Sequence, residues 1–139
     1  MSSAPRRFRH RLRVRFGECD PQARVFNANY LLYADVALTE FLREATGSYD
    51  HLGEAGYDLA LAECTVRFLA PARVDDELLL TVSPQAPGRT SLQLDFQIEC
   101  EGRELATVGA RYVCIERPGQ RKAPWPDWLR TAVSPYLLN

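Results

Sequence analysis

Histidine is nearly absent from this chain of 139 residues: His10 and His51 are the only two. Cysteine is sparse as well, with Cys19, Cys64, Cys100 and Cys114 far apart and no CxxC pair among them. Zinc sites built on Cys and His need those ligands clustered at short spacings, so no metal site is expected. The same wide spacing argues against the disulfide framework of a small secreted domain. Reduced, buried thiols are expected instead, three of them in strand-like runs. Charge of one sign is not in excess either: 17 basic against 18 acidic residues leave a formal net charge of -1. That balance argues against nucleic acid or an anionic membrane as the main partner. No apolar run approaches the roughly 20 residues that span a bilayer. The N-terminal MSSAPRRFRHRLR carries charges but no apolar signal core behind them, so a cytoplasmic protein is expected.

What is present is enough apolar residue, 46% of the chain, for one compact core and too little length for two. One domain over 1–139 is therefore expected, with its core at about 8–116 and a C-terminal tail at 117–139. From Phe8 to Phe16, apolar residues and His10 alternate with Arg9, Arg11, Arg13 and Arg15, the period of a strand with one buried face and an exposed or subunit-facing arginine row. The period then changes. Tyr30, Ala34, Ala37, Leu38, Phe41 and Ala45 form one face of a helix, with Asn27 or Asn29 as its N-cap and Gly47 as its stop.

Four strands follow at roughly 58–69, 77–83, 89–100 and 103–116, with a loop or short helix before the first. Pro87-Gly88 and Glu101-Gly102 supply tight turns, so the strands are expected to pair as an antiparallel meander. A short helix is expected from Asp127 in the tail. The order of strand, long helix and antiparallel run predicts an α+β layer architecture, one helix covering one face of a five-stranded sheet. A helix of about 18 residues is only ~27 Å long and leaves sheet uncovered, so self-association is expected.

The stretch GECDPQARVFNANY holds the candidate chemistry. Pro21 restricts Asp20 to extended backbone, which fixes its carboxylate. A few residues later a helix begins with amide N–H groups that lack intrahelical acceptors and carry a partial positive charge. A carboxylate beside such donors is the minimum equipment for acyl transfer. An Asp before Pro also caps turns, and the local residues leave both readings open.

VRFGECDPQARVFNANYLLYADVALTEFLRE resembles the opening of the hotdog-fold thioesterases of the 4-hydroxybenzoyl-CoA thioesterase group. ECTVRFLAPARVDDELLL and GRTSLQLDFQI are similar to later strands of that family, in the same order. The resemblance implies a hotdog fold, five strands wrapped around one long helix, and hydrolysis of an acyl-CoA thioester without a cofactor. It implies a homodimer or homotetramer with the cleft at the subunit interface.

By position, the family's essential carboxylate falls on Asp20, as nucleophile or as base for water. Its oxyanion-binding backbone amide falls on Asn27, and its first acid on Glu18. Ala23 stands where a glycine is common. Substrate contacts are expected at Tyr30 and Asp35, the latter where the family binds a phenol, and at Glu63 and Arg89, the latter near the nucleotide of coenzyme A. Each has a plainer reading: a solvated helix acid for Asp35, a cross-strand pair with an arginine for Glu63, an exposed turn arginine for Arg89. Three other functions stay open: an acyl-carrier-protein thioesterase, a hydratase of the same fold, for which no histidine follows Asp20 at the needed spacing, and a non-catalytic acyl-thioester-binding protein.

Overall fold

In a computed structural model, residues 4–137 are described. The first strand, β1 (Phe8–Arg13), is followed by a 3-10 turn at Phe16–Glu18 and the long helix α1 (Asn29–Thr46). A four-residue helix α2 (His51–Glu54) leads into β2 (Tyr57–Phe68), β3 (Glu77–Pro84), β4 (Ser91–Cys100) and β5 (Arg103–Glu116). A two-residue β6 (Arg121–Lys122) and the helix α3 (Asp127–Val133) complete the order.

The sheet is antiparallel and six-stranded, in the order β1-β3-β4-β5-β2 with β6 added to β5. The expected meander therefore holds only for β3, β4 and β5. Its first strand does not pair with its successor: β2 crosses to the far edge and pairs with β5, while β1 takes the place beside β3. This is the hotdog arrangement, with one sixth, short strand beyond the five expected.

The core follows from the two periodicities. On α1, Tyr30, Tyr33, Ala34, Ala37, Leu38 and Phe41 are buried, a stripe at intervals of three and four. They face the inward sets of the sheet: Leu78, Leu80 and Val82 of β3, Leu92, Leu94, Phe96 and Ile98 of β4, and Ala106, Val108, Ala110, Tyr112 and Cys114 of β5. The helix ends where Gly47 takes a φ of 88°, a left-handed conformation that costs glycine no Cβ clash.

The tail belongs to this core rather than lying outside it. Trp125, Leu129, Val133 and Tyr136 are all buried in the same cluster, and the Tyr136 ring meets Phe41 edge-on at 5.0 Å. Arg130 donates to the carbonyls of Pro87 (3.1 Å) and Gly88 (2.7 Å), tying α3 to the β3–β4 turn. Only Cys114 of the four cysteines is buried; Cys64 is exposed, because β2 is an edge strand.

Along β2 the alternation breaks at a bulge between Leu61 and Glu63. Up to that point Leu59 and Leu61 stand opposite Cys114 and Tyr112; beyond it Cys64, Val66 and Phe68 stand opposite Ala110, Val108 and Ala106. Residues paired across a ladder share a face, so the inward set changes from odd to even numbers at Ala62. Much of that inward set is uncovered, Leu61 being 43% and Phe68 53% exposed.

Candidate active site

Two residues that the β1 alternation places on one face part company. The strand ends at Arg13, and the tighter winding of the 3-10 turn sends Phe16 outward and Glu18 inward. Glu18 is 8% exposed. Its carboxylate accepts from the Arg15 N–H at 2.9 Å, the Arg15 Nε at 2.8 Å and the Tyr33 hydroxyl at 2.8 Å. Burial pushes its pKa up, and the bonds from Arg15 and Tyr33 outweigh burial, so it lies below the ordinary value of 4.5. Tyr33 is pushed the other way, by burial and by the bond to Glu18. The Glu18 carbonyl meanwhile accepts from the Phe26 N–H at 3.0 Å and the Asn29 side-chain amide at 2.9 Å. Glu18 thus fastens the turn before the helix to the helix itself.

Asp20 begins a tight hairpin. Its N–H donates to the Arg24 carbonyl at 2.8 Å, its carbonyl accepts from Ala23 N–H at 2.9 Å, and Cys19 bridges Val25. This is a three-residue loop in which the last residue must turn left-handed, and Ala23 has a φ of 62° there. The carboxylate Oδ1 of Asp20 accepts from the Gln22 N–H at 2.8 Å. The turn-cap reading of Asp20 is therefore realised, and the second oxygen carries no hydrogen bond among the described residues.

Neither Asn27 nor Asn29 caps α1. Ala28 occupies the cap position and offers no side-chain acceptor, while the Asn29 amide is turned back to Glu18 as a donor. The Asn27 N–H has no acceptor among the described residues. The first two helix amides, Asn29 and Tyr30, donate to the Phe26 and Asn27 carbonyls at 2.9 and 3.3 Å, so the free donor is the Asn27 N–H just before the helix. Asn27 lines a cavity of about 200 Å³ with Arg24, Val25, Tyr30 and Phe68. Asp20 lines another, of about 280 Å³, with Phe16, Cys19, Pro21 and Val74. Within one chain the two residues do not share a cavity.

Tyr30 is a wall of the Asn27 cavity, but its hydroxyl is committed to the core, accepting from the Ala72 N–H at 3.0 Å. Asp35 is exposed on α1. Glu63 does not lie on the Leu59–Leu61 face: the bulge turns it to the outer side, where it pairs with Arg111 at 3.3 Å. Arg89 is exposed in the β3–β4 turn, at the opposite end of the strands from the Asp20 hairpin. Tyr33 and Tyr112 were not singled out by sequence, although both occupy inward positions of periodic elements where a hydroxyl needs a partner. Among the described residues no three His, Cys, Asp or Glu side chains gather as metal ligands, and no helix is long and apolar enough to cross a membrane.

The chain is 27% identical over 125 residues to the 1,4-dihydroxy-2-naphthoyl-CoA hydrolase of Thermosynechococcus vestitus, covering 86% of each. It is 29% identical over 110 residues to the acyl-CoA thioester hydrolase YbgC of Escherichia coli, covering 78% of this chain and 82% of that one. Among solved structures, a 1,4-dihydroxy-2-naphthoyl-CoA thioesterase from Synechocystis superposes with a TM-score of 0.84 at 24% identity, covering 92% of this chain and 96% of that one. The family model of the thioesterase-like superfamily matches residues 14–133, so the chain belongs to that superfamily and is a thioester hydrolase.

Proposed function

We propose that the protein hydrolyses acyl-CoA thioesters with an aromatic acyl group, using Asp20 and the backbone N–H of Asn27, at a cleft completed by a second copy of the chain. The observation that carries this is the pair of unspent groups around one hairpin: a carboxylate oxygen on Asp20 and an N–H on Asn27 at an uncapped helix start. The Asn27 N–H receives the thioester oxygen as it becomes an oxyanion. Asp20 either attacks the thioester carbon, forming an anhydride that water opens, or takes the proton of an attacking water. Both routes end in a carboxylic acid and free coenzyme A. The aromatic acyl group is suggested by the substrate in the names of the naphthoyl-CoA relatives.

The second copy is argued from the two sheet edges. The β1 edge carries Arg9, Arg11 and Arg13, all exposed, the kind of charged edge that resists pairing. The β2 edge is twelve residues long and exposes Leu61 and Phe68. Two β2 edges paired about a two-fold axis run antiparallel. The Tyr57 end of one copy, near its Arg89 turn, then lies beside the Phe68 end of the other, near its Asp20 hairpin. Arg89 in that arrangement reaches the phosphates of a coenzyme A bound at the neighbouring Asp20.

Release of free thiol from benzoyl-, hydroxybenzoyl-, dihydroxynaphthoyl- and medium-chain aliphatic CoA esters tests the reading. Asp20→Asn is expected to lower kcat by about 10²–10⁴ with the oligomer intact. Absence of turnover with every ester, or an Asp20→Asn variant as active as wild type, would refute it and favour carrier-protein substrates or a binding role.

A further inference from the structure

Asp20 and Asn27 lie in one loop, and hydrogen bonds close that loop just outside both of them. Glu18 stands two residues before Asp20 and Asn29 two residues after Asn27. The Glu18 carbonyl accepts from the Asn29 side-chain amide at 2.9 Å and from the Phe26 N–H at 3.0 Å, so both of its lone pairs are used. The Asn29 backbone N–H donates in turn to the Phe26 carbonyl at 2.9 Å. Glu18, Phe26 and Asn29 are thereby joined pairwise, a triangle of three hydrogen bonds, and Asn27 lies on the chain between two of its corners. The peptide plane between Phe26 and Asn27 carries the Phe26 carbonyl on one edge and the Asn27 N–H on the other, and in a trans peptide the two point opposite ways. Holding the carbonyl toward Asn29 therefore aims the Asn27 N–H away from Asn29, where it meets no acceptor among the described residues.

We infer that Asn29 is a positioning residue for thioester hydrolysis: its side-chain amide and its backbone N–H together fix the direction in which the Asn27 N–H meets the thioester oxygen. This rests on the proposed role of Asn27 as oxyanion donor and adds to it the residue that aims the donor. An Asn at the start of a helix ordinarily acts as an acceptor, capping the first amides. Asn29 instead donates backwards across eleven positions, to the strand side of the hairpin that carries Asp20. The side-chain bond is the half that substitution can remove. Without it Asn29 is tied to Glu18 only through Phe26, and the peptide plane of Asn27 is free to rock. An oxyanion donor has to lie about 2.7–3.1 Å from where the charge develops, and a misplacement of about 1 Å costs about 10²-fold in rate.

The test measures kcat, KM and Tm in wild type, Asn29→Ala, Tyr33→Phe and Asp20→Asn, on the ester of the panel above that wild type hydrolyses fastest. Alanine is a strong helix former and position 29 is half-buried, so Asn29→Ala is expected to fold, with a Tm within about 4 °C of wild type. Its kcat is expected to fall about tenfold to hundredfold with KM within about twofold, because the aimed N–H serves the transition state. Tyr33→Phe removes a bond to the Glu18 side chain and leaves the bonds to its carbonyl in place. It is expected to lower Tm by about 5 °C and to keep kcat within about twofold. Should Asn29→Ala not fold, Asn29→Ser, a favoured residue at helix starts whose hydroxyl ends one bond short of the amide, takes its place under the same criteria. A kcat within about twofold of wild type in the Asn29 variant, while Asp20→Asn collapses, overturns the inference and leaves the thioesterase mechanism standing. An equal fall in kcat in Tyr33→Phe traces the loss to a loosened fold and overturns it too. No hydrolysis of any ester by wild type overturns both the inference and the function on which it rests.

Discussion

Glu18→Gln is expected to destabilise the fold by about 2 kcal/mol, and the figure follows from what the carboxylate holds. Four contacts reach it, but the Arg15 guanidinium is 76% exposed, so solvent screens its two and they are left out of the sum. The Arg15 N–H and the Tyr33 hydroxyl remain, each donating to a charged, buried acceptor and each worth about 1.5–3 kcal/mol when lost. Both donate to the same oxygen, Oε1, so a glutamine carbonyl placed there keeps both, but as neutral bonds worth about 0.5–1.5 kcal/mol each, and about 1 kcal/mol is lost from each of the two. For 139 residues the unfolding entropy is about 0.3 kcal/mol/K, which turns 2 kcal/mol into a fall of about 7 °C in Tm.

The pH dependence is a second, independent check. The folded pKa of Glu18 lies below its ordinary 4.5. Its contribution is therefore fully present above the unfolded value and lost as pH falls through the folded one. The gap between wild type and Glu18→Gln should be constant above about pH 5 and shrink in more acidic buffer. Thermal melts from pH 3 to 8 at fixed protein concentration measure both. A variant within about 0.5 kcal/mol of wild type at neutral pH, or a gap that does not shrink in acid, refutes the reasoning.

Tyr33→Phe breaks the same network from the helix side and is expected to cost about 1.5 kcal/mol. Combined with Glu18→Gln it should cost less than the sum, as a denaturant-melt double-mutant cycle would report. Ala23→Gly relieves the left-handed φ of 62° and is expected to stabilise by a few tenths to about 1 kcal/mol in urea melts, the strain gain exceeding glycine's added chain entropy; a loss of stability would mean that the loop is not strained. Leu61→Lys puts a charge on the uncovered face of β2 and is expected to shift the proposed dimer to monomer by light scattering, with an unchanged circular-dichroism spectrum and lost activity. An unchanged mass would move the interface elsewhere.

The sequence pattern carried the elements well where one period ran uninterrupted. The β5 strand was read at its observed bounds, and the α1 stripe was read from Tyr30 to Phe41 with only Tyr33 omitted. Period alone failed where the backbone changed its count. The 3-10 turn sent Phe16 outward, against its alternation, and the bulge at Ala62 moved Glu63 to the outer face. Strand order was not legible, because turn chemistry fixes only hairpin neighbours and says nothing about where β2 goes after a long connection. For the proposed site, Asp20 and Asn27 rest on the motif, and their lining of separate cavities within one chain was not legible in it. Nor was the partnerless hydroxyl of Tyr112, since satisfaction of a buried polar group depends on three elements meeting.

The bulge in β2 has a consequence for chain length. Twelve residues of that strand lie against eleven of β5, so one residue is surplus to the ladder. Removing Ala62 leaves Leu59, Leu61, Cys64, Val66 and Phe68 all pointing inward, with each neighbour unchanged across the ladder. Removing Thr65 instead would carry Val66 and Phe68 to the outside and turn Arg67 in. Two single-residue deletions three positions apart thus have opposite fates. A shortened chain lacking Ala62 keeps its core and loses only the local bend that the extra residue gives the edge.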